Sequence, residues 1–373
     1  MNKIAIIVGT RPEAIKLMPI YLAFKDVKGF QIDLISTGQH KEMLNQVFDI
    51  FDVEPAISLE LMTKNQTLNG LASKLINSLD ELLLRNEYNG VIVQGDTLTA
   101  MISAMVSFNN RISVFHVEAG LRSYDIDHPF PEEANRRVIG IYATLNFTPT
   151  NKASMALIKE GFTEQSVINV GNTVIDALFS VHDKIKCNLS NYEKTFSDFI
   201  SKGRKCVLVT AHRRENFGDG FINICESIAI LAEKYKDVDF IYPVHLNPNV
   251  QSVVKSKLSN ISNVKLIEPL TYDNMVYLMS QSYLILSDSG GIQEEAPSLN
   301  VPVVVMREKT ERMEGIENNC SVLVGTSKEK IINTVDDLLT NSVLYNKMSS
   351  AKNPYGEGKS ASKIIEEISR FYD

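Results

Sequence analysis

With 373 residues, 44% of them hydrophobic and 22% charged, the chain has the makeup of a soluble globular protein too long for one core, so two domains are expected. A net charge of −7 argues against a general nucleic-acid binder. No run approaches the roughly 18 apolar residues of a membrane span, and the opening MNKIAIIVGT is too short an apolar run for a signal peptide. Cys187, Cys206, Cys225 and Cys320 are scattered without a CxxC pair, which suits a reducing, cytoplasmic compartment and offers no zinc site.

In chain order, short β-branched runs alternate with longer helical patterns. Strands are predicted at Ile4–Val8, Ile32–Ser36, Val91–Gln94, Ser113–Val117 and Leu145–Phe147, then at Cys206–Thr210, Phe240–Pro243, Val264–Ile267, Tyr283–Leu286 and Pro302–Met306. Helices are predicted between them, at Leu68–Leu84, Thr99–Asn109, Phe221–Lys234 and Tyr272–Ser280. This alternation implies an α/β fold of two doubly wound, Rossmann-like domains, each with a parallel sheet of about five strands, facing a cleft. The expected domains are 1–171, carrying candidate acid/base carboxylates, and 172–355, with a C-terminal helix at 356–373 packing back on the first domain.

Ligands of such sheets bind beyond the carboxyl ends of the strands, and the chemically capable residues fall there. Tyr283–Val301 reads as a strand, a turn and a helix start. Gly290 and Gly291 would let a phosphate approach the backbone, and Glu295 one turn on would take ribose hydroxyls. GTRPEAIK is neither GxGxxG nor a P-loop, so no nicotinamide or ATP site is supported there. It places Arg11 and Lys16 near the cleft, with Glu13 as a possible ion partner. Asp96, Glu118 and Glu132 follow strands or precede a helix. Such carboxylates are costly unless they cap, pair or act. Asp96 fits a cap for the helix near Thr97 or a catalyst. Glu118 could pair with Arg122, and Glu132 with Arg136. Together they resemble machinery for moving a proton on two faces of a substrate. His116-x-Glu118 lacks a PCxxC partner, so no metal is expected. His212, with Arg213 and Arg214, suits a diphosphate. His245 lies after a strand and is open to a structural or a catalytic reading. Arg312 faces the cleft or belongs to a charged loop.

GTRPEAIK, TGQHKEML, GDT, HVEAGLR, PEEANR, GNTVIDAL, TAHRREN, YPVHLNP, DSGGIQEEAPSL, TERMEG and NPYGEG occur in this order along nearly the whole chain. Together they closely resemble the non-hydrolysing UDP-N-acetylglucosamine 2-epimerases of bacteria. The resemblance implies the glycosyltransferase-B architecture, a homodimer, no cofactor, and inversion at C2 of UDP-N-acetylglucosamine to give UDP-N-acetylmannosamine for surface polysaccharide synthesis. The route it implies is expulsion of UDP to leave 2-acetamidoglucal, followed by re-addition. It makes Asp96, Glu118 and Glu132 the acid/base candidates and Lys16 and His212 catalytic or diphosphate-assisting. Arg11, Ser289, Gly290 and Gly291 would hold phosphates, Glu295 the ribose, and Arg312 the leaving diphosphate. Arg136, Arg213, His245 and Tyr272 complete the substrate contacts. Gln39, Arg213 and His245 match a second, regulatory nucleotide-sugar site, but Glu42 and Asn65 depart from it. Met275 stands where the family often has an aromatic on the uracil side, with only Tyr272 and Tyr277 nearby; VQGD and the segment SYDIDHPFPEE also depart from the family pattern. They leave open a modified substrate, such as a uronic or diacetamido sugar; a UDP-sugar glycosyltransferase is the other alternative.

Overall fold

The computed structural model describes residues 1–38, 41–63 and 66–373. They form two compact units, Met1–Ser180 with Tyr355–Asp373, and Val181–Pro354.

The first unit runs β1 (Asn2–Val8), α1 (Arg11–Phe24), β2 (Phe30–Ser36), α2 (Lys41–Phe51), β3 (Ile57–Ser58), α3 (Leu68–Arg85), β4 (Gly90–Gln94), α4 (Leu98–Asn109), β5 (Ser113–Val117), α5 (Glu132–Tyr142), β6 (Leu145–Thr148), α6 (Asn151–Lys159), β7 (Val167–Asn169) and into α7 (Thr173–Cys187). Its seven strands lie in the order β3-β2-β1-β4-β5-β6-β7, every neighbouring pair parallel. Helices cover the sheet with apolar stripes. In α3, Leu71, Leu75, Leu79 and Leu83 recur at four-residue spacing and are all buried, as an amphipathic helix requires.

The second unit continues with α8 (Leu189–Phe196), β8 (Lys205–Thr210), α9 (Asp219–Lys234), β9 (Val238–Pro243), α10 (Pro248–Leu258), β10 (Val264–Ile267), α11 (Tyr272–Gln281), β11 (Leu284–Ser287), α12 (Gly290–Glu295), β12 (Val303–Val305), α13 (Met313–Glu317), β13 (Ser321–Leu323), α14 (Lys328–Thr340) and α15 (Ser342–Ser349). Its six strands are parallel in the order β10-β9-β8-β11-β12-β13.

The last helix, α16 (Ser360–Tyr372), belongs to the first unit. The half-buried Asp176 caps it by accepting from the amides of Ser360 (3.2 Å) and Ala361 (2.9 Å). Tyr372 donates to the Asn89 carbonyl at 2.8 Å and meets Phe115 edge-on at 6.1 Å. These ties begin with Asn172, whose amide donates to the Tyr355 carbonyl at 2.7 Å. The first unit accordingly extends to Ser180, inside α7, and not only to residue 171.

The fold class is the expected one, but each sheet has more strands than the five read from the sequence. The additions, β3, β7 and β13, are edge strands of two or three residues. An edge strand pairs on one side only, so its chain carries no long apolar run. Each sheet reverses its winding once, between β1 and β4 and between β8 and β11. Crevices for ligands lie at such reversals.

Candidate active site

In the first unit, the loops after β1 and β4 meet at the reversal. Glu13, in the first turn of α1, reaches back over its own loop. Its Oε2 accepts from the amides of Gly9 (2.9 Å) and Thr10 (2.6 Å) and from the Thr10 hydroxyl (2.8 Å). Its Oε1 accepts from Thr97 Oγ1 at 2.5 Å. Burial pushes the Glu13 pKa up against these bonds. Glu13 is thus a clasp between two loops, not the ion partner of Lys16. Arg11 is the first residue of α1 and is partly buried.

Lys16 Nζ pairs with Glu118 Oε2, and Gln94 Nε2 donates to the same oxygen at 2.9 Å. The Glu118 backbone is left-handed, at φ +65°, which turns the carboxylate out of the strand direction. Arg122 does not pair with Glu118 as expected. It grips Glu160 with two bonds of 2.7 and 2.8 Å.

Asp96 is not the helix cap. Thr97 takes that position and accepts from the Ala100 amide at 3.0 Å. The Asp96 carboxylate instead accepts from Arg136, through Nη2 at 2.5 Å and Nε at 3.1 Å. The expected Glu132–Arg136 pair is also corrected. Glu133 is the buried member of the two glutamates, 3.3 Å from Arg136 Nη1 and 2.9 Å from Arg137 Nη2. Burial opposes its ionisation, but the Ser123 amide and the two arginines prevail and hold its pKa below the ordinary value. Glu132 is turned away by about 100° on the helix, and among the described residues it has no ion pair. His116 is buried with Nε2 2.7 Å from the Gly95 carbonyl, and burial drives its pKa down to about 4. A neutral ring holding that carbonyl fixes the turn that presents Asp96.

In the second unit, the loops after β8 and β11 meet at the other reversal. Asp288 is fully buried there. Its Oδ2 accepts from the amides of His212 (2.9 Å) and Arg213 (2.8 Å) and from Asn216 Nδ2 (3.2 Å). The exposed His245 ring lies parallel to that of His212, with centroids 5.2 Å apart and planes 10° apart. The Arg213 side chain is exposed.

Ser289 precedes α12, and Gly290 and Gly291 open it. The helix has six residues before it tightens into a 3-10 turn at Ala296–Leu299, so its dipole adds little and local donors matter more. Arg312 lies across Gly290: a Cβ there would come within 3.1 Å of the guanidinium carbon. Arg312 Nε donates to Glu294 at 2.9 Å, and Nη1 lies 3.3 Å from Glu311. A Cβ on Gly291 would meet nothing nearer than Glu295 Oε2 at 3.7 Å. Tyr272 is buried and donates to Glu295 Oε1 at 2.5 Å. Tyr277 is stacked on Tyr192 and Phe196, at 5.5 and 5.3 Å, so that aromatic serves packing. Gln39 and Asn65 lie outside the described residues.

Sequence reasoning passed over Asp288, Glu133 and Gln94 as site residues. The rule that flagged Asp96, a carboxylate directly after a buried strand, applies equally to Asp288.

A family model described as UDP-N-acetylglucosamine 2-epimerase matches residues 22–369. A UDP-N-acetylglucosamine 2-epimerase of Campylobacter jejuni is 48% identical over 370 residues, covering 98% of this chain and 97% of its own. The crystal structure of the Neisseria meningitidis enzyme bound to UDP-GlcNAc superposes with a TM-score of 0.92 at 42% identity, covering 99% of this chain and 100% of its own. The Methanocaldococcus jannaschii enzyme, in complex with UDP-GlcNAc and UDP, gives 0.82 at 34% identity, with 99% of each chain covered.

Proposed function

This chain belongs to the UDP-N-acetylglucosamine 2-epimerase family, and from that premise we propose how its residues share the work of epimerisation. The enzyme is an isomerase of UDP-N-acetylglucosamine. Its C2 hydrogen is not next to a carbonyl, so direct deprotonation is unfavourable. Elimination avoids this. The C2–H electron pair becomes the C1–C2 double bond, the C1–O pair leaves with UDP, and 2-acetamidoglucal remains. Re-addition returns the diphosphate oxygen to C1 while a proton reaches C2 from the other face.

The observation that carries this reading is the pair of carboxylates in the first unit, each held by a cation: Asp96 by Arg136, and Glu118 by Lys16. A carboxylate beside a cation is placed to exchange a proton with a substrate, and its partner can follow the charge as it changes. We assign proton transfer at C2 to Asp96, Glu118 and Glu132. We assign the diphosphate to His212, Arg213, Ser289, Gly290, Gly291 and Arg312, with Arg11 and Lys16 as further cations and His245 stacked beside His212. Tyr272 and Glu295 would serve the ribose side, since the Tyr272 hydroxyl orients the Glu295 carboxylate. A cytoplasmic homodimer acting in surface polysaccharide synthesis follows from the family resemblance. The four free cysteines fit that compartment, and no helix among the described residues is long and apolar enough to cross a membrane.

Incubation with UDP-N-acetylglucosamine in D2O tests the reading. Deuterium at C2 of UDP-linked product is expected. Product without C2 deuterium, or no sugar-linked product, would refute it. The same assay with uronic and diacetamido UDP-sugars decides the substrate class.

A further inference from the structure

Asp288 commits one oxygen entirely to the neighbouring loop, where Oδ2 accepts from the His212 amide, the Arg213 amide and Asn216. Oδ1 is buried and, among the described residues, has no hydrogen-bond partner. His212 Nδ1 stands 3.8 Å away from it. A buried carboxylate oxygen without a donor is costly. A proton on His212 Nδ1 is placed to offset that cost with a small movement of the ring.

We infer that Asp288 is a positioning residue for the reaction: it keeps the proton on His212 Nδ1 and so leaves Nε2, on the far side of the ring, for the diphosphate. This rests on the function proposed above, because the departing diphosphate is what Nε2 serves. When the C1–O bond breaks, its electron pair leaves with UDP and the C2 proton passes to a carboxylate of the first unit. A second proton, taken up from water onto Nε2, makes the ring an imidazolium, and that Nε2–H donates a hydrogen bond to the diphosphate oxygen that gains the charge. The Asp288 carboxylate, 3.8 Å from Nδ1, lies where it can balance the ring's positive charge. Such a buried carboxylate sets a histidine's tautomer and steadies its charged form.

Among the described residues, Asp288, the parallel His245 ring and Arg213 act on the ring's charge. Burial, His245 and Arg213 push the His212 pKa down, and Asp288 pulls it up. Loss of Asp288 therefore leaves less imidazolium at neutral pH.

Asp288→Asn preserves the shape but offers one acceptor. The two loop amides and Asn216 claim it, so the carboxamide NH2 turns towards Nδ1 and moves the ring proton to Nε2. The expected result is a fall in kcat of roughly a hundredfold, a KM for UDP-N-acetylglucosamine close to wild type, and a basic limb of the pH profile moved to lower pH. His212→Asn should lose as much, and the double variant should be no worse than His212→Asn alone. Losses that multiply in the double variant would overturn the inference. If Asp288→Asn does not fold, the wild type decides by 15N NMR of its histidines above their pKa, with His212→Asn identifying the resonance. Nδ1–H is expected for His212, and Nε2–H overturns the inference. A wild-type enzyme that does not turn over UDP-N-acetylglucosamine would refute the proposed function instead, while the tautomer would still test Asp288.

Discussion

Both units tie the two loops at their sheet reversal with one buried carboxylate, Glu13 in the first and Asp288 in the second, yet the two clasps end differently. Both oxygens of Glu13 are taken by loop donors. Only one oxygen of Asp288 is taken, and the other faces a histidine ring. Around Glu13 stand opposite charges in pairs, Lys16 with Glu118 and Arg136 with Asp96. Around Asp288 stand backbone amides, two stacked imidazoles and the exposed Arg213. Paired carboxylates suit the movement of a proton. Amides, rings and arginine suit an anion that must be kept after its bond to carbon breaks. One structural device, used twice, thus stands among two different sets of chemical groups.

Asp96→Asn should separate these roles most sharply. Turnover is expected to fall by about 10²–10⁴-fold, with the circular dichroism spectrum intact and C2 deuterium exchange lost in step. Wild-type-like turnover would remove Asp96 from the proton path.

Next in size is Glu133→Gln, which should act on stability. Breaking a buried ion pair costs about 3 kcal/mol, read as a lower Tm at neutral pH. The folded pKa of Glu133 lies below its ordinary 4.5. Its contribution is therefore present above pH 4.5 and is lost as pH falls through the folded value. The variant should accordingly lose part of the wild-type steepness of Tm against pH below that point.

The smallest effects belong to the glycines. Gly291→Ala meets no tight contact within the protein, so Tm should hold or rise slightly. An affinity for UDP weakened about tenfold, or 1.4 kcal/mol, would then report the phosphate itself. Gly290→Ala presses on Arg312 and should weaken UDP by a similar factor while lowering Tm. Unchanged titrations with UDP for both would place the diphosphate elsewhere.

The central strands and the four helices named from the sequence were legible from apolar period and turn residues. The edge strands β3, β7 and β13 were not, because pairing on one side needs no apolar run. Motif reading also found most of the residues that cluster in each unit. It misjudged partners. Spacing alone gave Glu132 to Arg136, but helix rotation puts Glu133 inside and Glu132 out. Spacing likewise gave Arg122 to Glu118, whereas Lys16, far away in sequence, takes that carboxylate. Such pairings depend on which loops the sheet order brings together, and local pattern does not carry that information.

The division of labour is tested most directly by titrating UDP into Glu118→Gln. The account predicts turnover lost and a Kd for UDP within about threefold of wild type, because most of the residues proposed for the anion belong to the second unit; weakening beyond about tenfold would contradict it.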